Sequence, residues 1–86
     1  MPYITQERRA ALDDNSLYAD PDPMNAGELN YMFTTIALDY ILRQGKNYQH
    51  INDVIGALEG AKLEFYRRLA VPYENNKVAE NGDVYP

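Results

Sequence analysis

Cysteine is absent from this chain of 86 residues. Its absence excludes a disulfide framework, a thiolate zinc site and a cysteine nucleophile, and it accords with a reducing compartment. Basic residues are scarce: 8 Lys and Arg stand against 13 Asp and Glu, giving a net charge of −5. Affinity for nucleic acid rests on neutralising phosphates, so broad DNA or RNA binding is not expected. An acidic excess of this size reads as solubility rather than nucleic-acid mimicry. No apolar run approaches the ~20 residues that cross a bilayer, and the opening MPYITQERRA has no apolar signal core. The expectation is a soluble, cytosolic protein that does not enter a membrane.

Chemistry-bearing groups are equally sparse. The single histidine, His50, has no second ligand at metal spacing, and it reads as a helix-start or surface residue. Asp53, Glu59 and Glu64 fall on different faces of one helix and make no carboxylate pair. There is no glycine-rich phosphate loop, nucleophile elbow or HExxH. Catalysis needs convergent groups, so neither an enzyme nor a bound metal or cofactor is expected.

What the chain does contain is helical periodicity. Its length suits one small domain with a thin core, for which oligomerisation is a common remedy. Thr5 is a candidate N-cap for a short first helix, and residues 13–24 carry the prolines and acids of a loop or linker, which Tyr18 is placed to pin. Asn25 and Glu28 form a capping pair for a long helix that Gly45 stops. Leu29, Met32, Phe33, Ile36 and Tyr40 share one face of it, while Tyr31, Leu38 and Leu42 lie nearly opposite. One hairpin partner covers one of these faces, so the second calls for another helix or another subunit. A second long helix is expected over residues 51–71, with Asn47, His50 and Asn52 competing as its cap. Ile51, Ile55, Leu58, Phe65 and Leu69 make its apolar stripe, in spacing that suits antiparallel or coiled-coil-like packing. Pro72 marks a break or kink, a short helix follows to Gly82, and residues 82–86 read as an extended, mobile tail. The fold class is therefore all-α: two long antiparallel helices plus one or two short ones, packed as a homo-oligomer.

Several residues of the second helix are not obviously needed for folding. Lys62 falls inside the apolar stripe, where a charge is unfavourable unless it snorkels or is paired. Its ammonium could escape toward Asp39, or be held in a subunit cleft for an anionic ligand. Arg68 has a local partner in Glu64 four residues earlier. Arg67 instead shares a face with Gly56, Gly60 and Leu63, where bare backbone admits another helix or a flat ligand. Lys62, Tyr66, Arg67 and Tyr31 are thus the candidate ligand-binding residues. Tyr31, Leu38, Leu42, Gly56, Gly60 and Leu63 are the candidate oligomer contacts.

The segments MPYI, GELNY, INDVIGALEGAKLEFYRR, PYE and ENGDVY together resemble a family of small uncharacterised proteins from tailed phages and prophages. The resemblance covers nearly the whole chain except residues 13–24, and it implies no catalytic residue. It implies a phage origin, expression in a host bacterial cytoplasm, and action by binding. The expected ligand is a nucleotide-type anionic signal sequestered at a subunit interface; the alternative is a host or virion protein bound with no small ligand.

Overall fold

The computed structural model describes residues 4–13 and 22–86, and every regular element among them is helical. Tyr18 and the MPY of the opening segment lie outside the described residues. The chain divides into two units, residues 1–34 and 35–86. Helix α1 (Gln6–Asp13) and the first part of α2 (Ala26–Gln44) belong to the first unit. The rest of α2, α3 (Tyr48–Phe65), a π turn (Tyr66–Ala70) and α4 (Val71–Asn81) belong to the second.

Side chains at the helix starts explain where the helices begin. Thr5 Oγ1 accepts from the Arg8 N–H at 3.1 Å, so Thr5 caps α1 as its sequence position suggests. At α2 the Glu28 N–H donates to Asn25 Oδ1 at 2.9 Å, and Glu28 Oε1 accepts from the Met24 N–H at 3.0 Å. This reciprocal arrangement satisfies donors that the first turn leaves unpaired. For α3 the three competing caps resolve to Asn47, whose side chain accepts from the His50 N–H at 2.8 Å. The helix consequently starts at Tyr48, three residues before the expected Ile51.

Glycine ends two of the helices. Gly45 and Gly82 hold φ of 103° and 84°, and their N–H groups donate to the carbonyls of Ile41 and Val78. An L side chain rarely adopts that backbone, which is why both stops are glycines.

In the second unit, the end of α2 meets α3 near the connecting turn. The Tyr40 hydroxyl donates to Asp53 at 3.3 Å, and the Tyr40 ring meets the edge of His50 at 6.0 Å. His50 Nδ1 lies 2.7 Å from the Gly45 carbonyl, closing the turn. No described residue is buried. The two faces of α2 nevertheless differ as the periodicity suggests. Leu29 and Tyr40 on the first face are each 38% exposed, against 59% for Leu38 and 83% for Leu42 opposite.

Asn47→Ala removes the acceptor that fixes the start of α3. It is expected to destabilise the protein by about 1 kcal/mol, read as a lower midpoint in thermal circular dichroism. Gln49→Ala, which removes an exposed hydrogen bond to Asp53, is expected to have a smaller effect.

Candidate functional site

Proline 72 does not break the helix. It is carried through by five residues, Tyr66–Ala70, wound as a π turn. A proline lacks the N–H that would reach the carbonyl four residues back, and its ring crowds that carbonyl. Widening the preceding turn by one residue relieves the crowding, and the Val71 N–H donates to the Tyr66 carbonyl five residues back. The expected separate helix after Pro72 is therefore a continuation, α4, with proline in its first turn.

The widened turn also sets which side chains meet. Eight residues of regular α-helix rotate through about 800°, leaving their ends roughly 80° apart. One extra residue absorbed by the π turn brings the two ends back to about two full turns. Tyr66 and Glu74 are the pair so aligned: the Tyr66 hydroxyl donates to Glu74 Oε1 at 3.3 Å. The neighbouring Glu74 carboxylate, the hydrogen bond to it and partial desolvation raise the Tyr66 phenol above its ordinary value. Tyr40 is raised as well, first by desolvation and then by Asp53.

The residues singled out from the sequence have these surroundings. Lys62 is 73% exposed at its side chain and pairs with Glu59 at 3.9 Å. Asp39, the expected outlet for its ammonium, instead holds Arg43 at 2.8 Å, because a partner four residues away on the same helix is always in reach. Arg68 pairs with Glu64 at 3.4 Å, as its spacing suggests. Arg67 is exposed and makes no ion pair among the described residues. A Cβ built at Gly56 or Gly60 would have nothing within 4 Å, so this face of α3, with Leu63 on it, stands open. Tyr31 belongs to the first unit, where it lines an open depression with Asp22, Pro23, Asn25 and Glu28. Asp22 and Glu28 stand on a lining that is mainly apolar.

Lys62, Tyr66 and Arg67 thus occupy one stretch of helix, but Glu59 and Glu74 already engage the polar ends of the first two. The sequence reading missed Glu74. The signal available was slight: the helix formers of residues 67–70 run into the proline, and Glu74, Lys77, Ala79 and Glu80 follow it among weaker ones. No group of three His, Cys, Asp or Glu among the described residues is placed to hold a metal, and no described helix is long and apolar enough to cross a membrane.

A family model described as a domain of unknown function, DUF6899, matches residues 1–84. The chain belongs to the DUF6899 family. No curated protein and no solved structure matches it significantly.

The Tyr66–Glu74 contact in this DUF6899 chain has a pH signature. A phenol whose folded pKa is raised adds stability below its unfolded value near 10 and loses it as pH climbs through the folded value. Ultraviolet titration should show Tyr66 ionising later than an ordinary tyrosine. Glu74→Gln should bring that ionisation down, and so should Pro72→Ala if residue 72 then joins a regular α-helix. An unchanged titration in both variants would show that the contact is not made. Arg68→Ala removes the exposed partner of a largely covered Glu64, and with one local ion pair lost it is expected to cost about 1 kcal/mol in chemical denaturation.

Proposed function

We propose that the chain is a non-catalytic binding module whose partners are protein surfaces. The supporting observation is that no described residue is buried, while large apolar side chains remain open along both long helices. Monomeric proteins rarely leave contiguous apolar surface beyond a few hundred Å² uncovered. The sequence resemblance to phage proteins supports a place inside a bacterial host, as an accessory or virion component that engages host or phage protein.

A second reading keeps the small ligand. It rests on Arg67, an exposed guanidinium with no ion pair among the described residues, one residue from the Tyr66 ring. A planar fork of that kind suits phosphate, and a second subunit could complete the pocket, with Lys62 for charge and Tyr66 or Tyr31 for stacking. Glu59 and Glu74 weigh against it, since an anion would have to displace one acid or lie beside the other.

Thermal shift against a panel of mono-, di- and cyclic nucleotides separates the two. A ligand that binds only the native state raises the midpoint. The protein-binding reading expects no shift from any nucleotide, and equal, mild stability changes in Arg67→Ala and Arg67→Lys. A saturable nucleotide shift abolished by Arg67→Lys would overturn it in favour of the anion site.

A further inference from the structure

The long helix of the second unit carries a seam whose two ends match each other. Ile51, Ile55, Leu58, Lys62, Phe65 and Leu69 alternate in steps of four and three residues, the spacing of a coiled-coil stripe. The same spacing extends one step backward to Tyr48. Forward, the next seam position would be Pro72 in a regular helix, but the residue absorbed by the π turn moves Tyr73 into that place. The Tyr66–Glu74 hydrogen bond supports this register independently, since that pair is also eight apart and also aligned.

These positions are symmetric about Gly60. Turned end for end, the stripe overlays itself: Ile51 stands opposite Leu69, Ile55 opposite Phe65, and Leu58 opposite Lys62. With the π turn included, Tyr48 stands opposite Tyr73. Every apolar member is between 40% and 81% exposed. If each fully open side chain contributes about 150–200 Å², the stripe offers roughly 700 Å². A stable interface of standard size takes about 800 Å² from each partner.

Building on the protein-binding reading, we infer that this stripe pairs with the same stripe of a second copy of the chain, antiparallel and centred on Gly60. Charge decides the direction. A parallel pair would set Lys62 against Lys62 within the seam, two ammonium groups in apolar surroundings. The antiparallel pair sets Lys62 against the partner's Leu58, beside the partner's Glu59. A lysine at one seam position is a known means of fixing coiled-coil register and orientation. Here it excludes the parallel arrangement, and its stem covers the facing leucine while its head reaches the acid at the rim.

The natural absence of cysteine makes the arrangement directly testable. Disulfides form only between residues whose Cα atoms lie within about 7 Å. Leu58→Cys and Lys62→Cys are prepared separately, mixed under denaturant, refolded together and oxidised. The antiparallel pair predicts a cross-linked species containing one chain of each kind, and little cross-linking of Lys62→Cys alone. Efficient self-linking of Lys62→Cys overturns the direction. Absence of any cross-link, with the refolded variants helical by circular dichroism, overturns the seam. Light scattering of the unmodified protein is the check if either variant fails to fold: a dimer or larger even-numbered assembly, dissociated by Phe65→Glu, supports the pairing. A monomeric protein overturns it, while leaving open capture of a different protein on the same stripe.

Discussion

A helix in water is stabilised chiefly by the surface it buries, and this chain buries no described residue fully. That constraint governs the rest. Fixing each residue's backbone costs on the order of 1–2 kcal/mol in conformational entropy. Caps at Thr5, Asn25 and Asn47 and surface ion pairs each return about 1 kcal/mol or less. Local interactions of that size set where helices begin and end, but they do not hold a fold against that entropy. In the pairing proposed above, the further stabilisation comes from the apolar side chains that the single chain leaves open. That pairing would make folding and association one process.

Pro72 gives the open surface its form. Without an N–H, it would ordinarily end a helix or bend it sharply. Here the turn before it widens, the Val71 N–H finds the Tyr66 carbonyl, and the helix runs on to Asn81. The widened turn shifts the later residues by one position. It brings Glu74 under the Tyr66 hydroxyl and Tyr73 into line with the apolar stripe, and leaves the proline off it. A regular helix with alanine at position 72 would present a different face beyond Leu69. The YRRL segment and its proline are therefore best understood together, as one device that sets register. Within it Arg68 is a solvated partner of Glu64, and Arg67 is the guanidinium that the helix itself leaves unengaged.

Features governed by short sequence separations were legible beforehand. The caps at Thr5 and Asn25, the stop at Gly45 and the Glu64–Arg68 pair all follow from three- or four-residue spacings, and all are present. The unequal exposure of the two faces of α2 was legible for the same reason. Three features were not. Asn47 was one of three competing caps, and the choice depended on how the turn closes around His50 and Gly45. Lys62 was aimed at a distant Asp39, whereas Arg43 takes that acid and Glu59 takes the lysine. The Tyr66–Glu74 contact was hidden because in a regular helix eight residues leave two side chains about 80° apart. It becomes readable only when proline is treated as something a helix can accommodate by winding one turn wider.

The proposed pairing makes the helices dependent on association for their stability. Its most direct test is the thermal unfolding midpoint, followed by circular dichroism, across a hundredfold or larger range of protein concentration, since assembly of the native state makes the midpoint concentration-dependent. The account predicts a midpoint that rises steadily with concentration and helical signal that is lost on dilution even without heating. A midpoint independent of concentration, in a protein that light scattering shows to be monomeric throughout, would contradict it.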